Sequence, residues 1–158
     1  MKIMGNTRHH SFLLGAAAGV LVLLAASLLF FDKPRFALEM LFEKPRIEKA
    51  LRTYFAAEMN RDLPKVYRLL APSSTYMRTH SYSEFLSDMK TNPVRIVDYK
   101  VVGIYGLRTN HDPAAYPDVE RFAQAEVDVT LEYTDTGRKA LCNYCFTFLK
   151  EKGVWLKG

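Results

Sequence analysis

The chain has 158 residues, with 22 Lys and Arg against 17 Asp and Glu and a formal net charge of +5. That length carries one domain of ordinary size beside an apolar run, and the dispersed bases (20 of the 22, with all 17 acids, follow Phe31) exclude a nucleic-acid-reading stripe. Two cysteines exclude a disulfide-dependent scaffold, and 13% aromatic content excludes a disordered chain.

Residues 1–11, MKIMGNTRHHS, form a basic tail with Lys2, Arg8 and no acid. Its adjacent His9 and His10 lack a third ligand and read as a solvated tail. Residues 12–31, FLLGAAAGVLVLLAASLLFF, follow with no charge and with Ser27 as the only polar side chain. A helix of that length spans about 30 Å, the hydrocarbon thickness of a bilayer. A cleaved signal would stop after a small-residue site, whereas here Leu28 to Phe31 continue beyond Ala25-Ala26-Ser27, so an uncleaved single-pass anchor is expected. Gly15 and Gly19, four apart, are candidates for close helix–helix approach in the membrane. The positive-inside rule reads both ways across this run. A basic tail without acids commonly stays inside, and large domains translocate largely regardless of charge. The expectation is an inner-membrane protein with its domain outside the cytoplasm.

The connector, residues 32–45, carries Lys-Pro-Arg twice, at 33–35 and 44–46, and both prolines suit the first turn of a helix. Ala37, Leu38, Leu41 and Phe42 recur at helical spacing. That stripe fits a short amphipathic helix on the membrane surface, a continuation of the anchor, or a packing face for the domain.

Residues 46–158 form the soluble domain. Ile47, Leu51, Tyr54, Phe55 and Glu58 or Met59 share one side of a helix over 46–60. Asp62 caps a second helix, LPKVYRLL, with Val66, Leu69 and Leu70 inward and Ala71-Pro72 as its stop. Ser81 and Glu84 form a capping box for a third, striped by Tyr82, Phe85, Leu86 and Met89. The period then changes from 3.6 to 2. Val97, Tyr99 and Val101 alternate with Asp98 and Lys100, and Ala125 to Tyr133 alternate with acids and Thr130. Asp135-Thr136-Gly137 and Lys152-Gly153 turn the chain into two further strands. The result is an α+β domain, three helices on a curved antiparallel sheet of about four strands.

That order, with the words YFAAEMNRDLPKVYRLLAP near its start, resembles the nuclear transport factor 2-like superfamily over about Arg46 to Lys157. The resemblance implies a long helix packed into a curved sheet to make a cone. It implies either an isomerase- or dehydratase-like active site within the cone or a non-catalytic partner-binding module. An anchor followed by such a domain is similar in architecture to the inner-membrane assembly subunit of type IV secretion systems.

Proton-transfer chemistry in a cone needs a carboxylate inside it. The alternation directs Glu126, Asp128 and Glu132 outward and leaves Asp98, Tyr99, Tyr54 and His80 as the groups able to reach an interior. Tyr54, Tyr99, Asp98 and Tyr144 are the candidate pocket lining, and no acid–base pair emerges, so no catalytic residue is expected. Cys142-Asn143-Tyr144-Cys145 lies mid-strand, where residues three apart sit roughly 10 Å apart on opposite faces, too far to bridge. No His follows for haem, no second pair supplies zinc, and no cofactor or metal is expected. Leu141, Cys145 and Leu149 leave the outer face of that strand partly apolar and are the candidate partner face. The expected function is a non-catalytic, membrane-anchored interaction or assembly module within a larger membrane complex. The expected partners are the bilayer and other membrane-protein subunits or a second copy. The alternative is a membrane-tethered cone that binds a small molecule or acts as an isomerase or dehydratase.

Overall fold

The computed structural model describes residues 19–23, 26 and 32–158. The apolar run at 12–31 falls largely outside them, as does Gly15; Gly19 is helical, with open space where a Cβ would stand. Among the described residues no helix is long and apolar enough to cross a membrane. The chain divides into two packed units, Met1–Glu39 and Met40–Gly158. The described part of the first is helical.

The first correction concerns the connector. Helix α1 runs without interruption over Asp32–Met59, with Pro45 inside it. Proline removes the bond normally made to the carbonyl four residues earlier, here Leu41, but the flanking turns hold the helix together. Ile47, Leu51 and Phe55 are fully buried along its domain face, and Met40 and Glu43 extend that face back across the connector. Of the connector stripe, Ala37, Leu38, Leu41 and Phe42 are all exposed.

Helix α2, Leu63–Arg68, is capped by Asp62, whose side chain accepts from the Lys65 amide. A short helix α3, Thr75–Thr79, capped by Ser74, stands where no helix was expected. Helix α4, Tyr82–Thr91, carries the expected capping box, Ser81 Oγ accepting from the Glu84 amide and the Glu84 carboxylate from the Ser81 amide. Phe85 is its buried anchor, while Tyr82 stays exposed.

Four strands follow: β1 Val94–Thr109, β2 Val119–Tyr133, β3 Lys139–Glu151 and β4 Val154–Lys157. They form one antiparallel sheet in the order β1-β2-β3-β4. Lys152 and Gly153 both have positive φ, 50° and 77°, as a tight two-residue hairpin turn requires. Register shifts break β1 between Ile96 and Asp98, Val101 and Gly103, and Tyr105 and Arg108. Each inserts an unmatched residue and bends the strand. The inward row is therefore Ile96, Tyr99, Val101, Ile104 and Leu107, packed with Ala125, Val127, Val129 and Phe148 against α1. Val97, expected in that row, is displaced by the first shift.

A second, smaller core joins Ala71, Val119, Phe122 and Leu149, with Tyr116 and Leu156 against it. The end of β4 is clamped beside it. Ala71 donates to the Lys157 carbonyl at 2.7 Å, Lys157 to the Leu69 carbonyl at 2.9 Å, and Gly158 to the Thr147 carbonyl at 2.9 Å.

Candidate functional site

The last turn of α1 places Glu58 four residues after Tyr54, on the face that enters the domain. The chain then reverses sharply, with Arg61 at φ 54° donating to the Glu58 carbonyl at 3.0 Å and Asp62 to the Ala57 carbonyl at 3.0 Å. Glu58 lines a cavity of about 230 Å³ between the end of α1, α4 and the inner face of the sheet. Ile96, Val129, Leu131 and Phe146 make its apolar wall, and Arg61, Arg95 and Tyr144 bring the polar groups. The two guanidiniums are already engaged. Arg61 donates to the Met89 carbonyl at 3.3 Å, and Arg95 pairs with Glu132 at 3.0 Å.

Glu58 is not engaged in that way. Its Oε2 is buried and, among the described residues, has no hydrogen-bond partner. Burial pushes the carboxyl above its ordinary value, and the nearby positive charges of Lys157 and Arg61 offset part of that rise. Lys157 shows the mirror effect, its ammonium pushed down by burial and partly restored by Glu58. A buried carboxyl of raised affinity for protons can donate a hydrogen bond when neutral, accept one when ionised, and exchange a proton with whatever sits beside it.

Lys157 and Tyr54 line a second cavity of about 500 Å³, which shares Met89 and Asn92 with the first. Burial, and then the charge of Glu58, push the Tyr54 hydroxyl up. On the same wall the Tyr76 hydroxyl donates to Asp88 at 2.6 Å and is pushed up to about 12, first by burial and then by that bond.

The expected interior groups separate in this geometry. Tyr144 lines the first cavity and Tyr54 the second. Tyr99 is packed in the core, its ring stacked on Phe55 at 4.6 Å. Asp98 is exposed and paired in register with Thr130 on the outer face, the side opposite inward Tyr99 and Val101. His80 stacks on Tyr76 at 4.2 Å on α3 and bonds Thr79 Oγ1 and the Tyr76 carbonyl through Nδ1. The acid that does reach the interior is Glu58, a helix residue to which the strand alternation does not point. Its signal was present in the helical stripe, where a carboxylate occupied a half-buried position beside exposed Met59.

On the outer face Leu141 is 73% exposed, and Cys145 is exposed with its Sγ 3.5 Å from the Tyr105 hydroxyl. Leu149 does not belong with them. It is 3% exposed, because the pairing of β4 sets Leu156 opposite it and the second core closes over it. Cys142 is half-buried and Cys145 exposed, both free thiols.

No family model and no curated protein matches this chain. Among solved structures it is similar to a ketosteroid isomerase-like protein from Erwinia carotovora atroseptica SCRI1043. That match has a TM-score of 0.46 and 19% sequence identity, and covers 73% of this chain and 90% of that chain.

Proposed function

We propose that residues 46–158 form a nuclear transport factor 2-like cone that binds a small, mostly apolar molecule carrying one hydrogen-bonding group. The apolar run at 12–31 holds this cone at the inner membrane, with the domain outside the cytoplasm. The observation that carries the binding reading is the buried, unpartnered Oε2 of Glu58 beside an apolar cavity. An orphaned buried oxygen costs about 1–3 kcal/mol, so a ligand that satisfies it recovers free energy that water-exposed groups do not offer. The apolar wall supplies the rest by desolvation, and the cavity volume limits the ligand to roughly the size of one or two fused rings. Glu58 is the group that would hold or move a proton if the bound molecule reacts.

The test is thermal unfolding of the detergent-solubilised full chain against a panel of small apolar ketones, phenols and alcohols. Binders should raise Tm, and Leu131→Trp, which fills the cavity, should abolish the rise. A rise that survives Leu131→Trp, or none from any compound, removes the reading.

A second reading draws on exposed Leu141 and Cys145: a non-catalytic assembly module docked on other membrane-protein subunits through its outer sheet face. Native purification from membranes, with and without Leu141→Glu, tests it. A co-purifying subunit that is lost in the variant supports docking there.

A further inference from the structure

Helix α1 has two apolar sides. One enters the domain through Ile47, Leu51 and Phe55. At 100° per residue, Leu41, Phe42, Pro45 and Lys49 fall on the opposite side from Ile47. Leu41 is 70% and Phe42 67% exposed, and Pro45 is exposed beside them. Side chains of this size are left in water at a cost that no contact within the domain offsets. Lys49 lies on this side, Lys44 is exposed on the flank midway between Leu41 and Ile47, and Lys65 of α2 shares a shallow groove with Pro45, Lys49 and the Glu48–Arg52 pair. Among the described residues none of these three lysines has an ion pair, whereas the neighbouring Arg46 and Arg52 are bound to Glu43 and Glu48.

We infer that this side of α1 is a membrane-surface contact, with Leu41 and Phe42 in the headgroup–acyl boundary and Lys44, Lys49 and Lys65 on anionic headgroups. Two features select lipid as the occupant. Unpaired lysines fringing an apolar centre are the complement of an anionic interface. The uncharged run at 12–31 also ends ten residues before Leu41. Ten helical residues rise about 15 Å, beyond a headgroup layer if α1 stood upright. The contact therefore lays the turns of α1 around Leu41 and Phe42 along the surface. This inference rests on the anchor reading and is independent of what the cavity binds.

The test uses the full chain with Cys142→Ser and Cys145→Ser, and single cysteines in place of Leu41, Phe42 or, as an aqueous reference, Asp135. Each is spin-labelled and reconstituted alone into 3:1 phosphatidylcholine:phosphatidylglycerol vesicles. Collision with dissolved oxygen is then compared with collision with a water-soluble nickel chelate. At 41 and 42 the oxygen-to-nickel ratio should exceed that at 135 several-fold. It should fall when phosphatidylglycerol is omitted or Lys44, Lys49 and Lys65 are changed to Gln. Vesicle-bound protein with positions 41 and 42 as wet as 135 overturns the contact and leaves the anchor standing. Protein that does not stay with the vesicles overturns both. Labels shielded from oxygen and nickel alike, with spin–spin broadening, assign the face to a second copy and overturn the lipid contact.

Discussion

Trp155 in β4 donates its indole N–H to Glu43 in α1 at 2.7 Å, across 112 residues of sequence. Lys150 of β3 donates to the other carboxylate oxygen at 3.0 Å, and Arg46 adds a third contact at 3.2 Å. Glu43 is 5% exposed, so this cluster fastens the middle of α1 to the closing edge of the sheet. Burial pushes the carboxyl up, but the bonds from Trp155 and Lys150 and the charges of Lys150 and Arg46 outweigh it and hold the group below its ordinary value. A lowered carboxyl stabilises the fold above the ordinary carboxylate range and loses that contribution as the pH falls through its lowered value.

Glu43→Ala should therefore cost about 3 kcal/mol at neutral pH, because it strands a buried indole N–H and a largely buried ammonium. Glu43→Gln should cost less and flatten the acid limb of the stability curve. Urea denaturation between pH 3 and pH 7 checks both. A wild-type acid limb matched by the glutamine variant would remove Glu43 from that role.

Glu58 should act with the opposite sign. Its folded value is raised, so its contribution is intact below the ordinary carboxylate value and is lost as the pH rises through the raised one. Glu58→Gln should match the wild type near pH 4 and exceed it at pH 8 by about 1 kcal/mol. The gain is limited by the loss of attraction to Lys157. Paired urea titrations at those two pH values decide it, and a variant weaker than the wild type at pH 8 contradicts the assignment.

Leu141 and Leu149 lie eight residues apart on one strand and should respond differently to charge. Leu141→Glu, at an exposed position, should shift stability by no more than about 0.5 kcal/mol. Leu149→Glu would bury a carboxylate in the second core and should cost 4 kcal/mol or more, on the order of the largest single-site losses. Far-UV circular dichroism melts of the two variants separate these outcomes.

Phe55 is fully buried, stacked on Tyr99 and edge-on to Phe146 at 5.3 Å. Phe55→Ala should cost about 3–5 kcal/mol through lost transfer free energy and the void it leaves. A loss under about 1 kcal/mol by denaturant titration would show that the helix–sheet core does not depend on this ring.

The Asp62 cap, the Ser81–Glu84 box and both hairpin turns were legible because each is set within a few residues by hydrogen bonds or backbone sterics. The period-2 signal of β2 survived intact, since its register to β3 runs unbroken from Arg121 to Glu132. In β1 the same rule misplaced Val97, because a bulge there resets the alternation and no local residue type announces it, whereas Asp98 keeps the side opposite Tyr99 that simple alternation assigns. Lys-Pro-Arg at 44–46 read as a helix start, yet Glu43, immediately before it, is held by Trp155 and Lys150. Contacts made a hundred residues away fixed the helix across that proline.

From the sequence alone come the uncharged run at 12–31 and the helix-then-meander α+β layout, because hydrophobic periodicity and chain punctuation are local quantities. Only the tertiary structure decided that Glu58 is the interior acid, that Leu149 is covered and that Leu41 and Phe42 face away from the domain. Burial is a property of what packs against a residue, and for each of these the deciding neighbours come from distant elements.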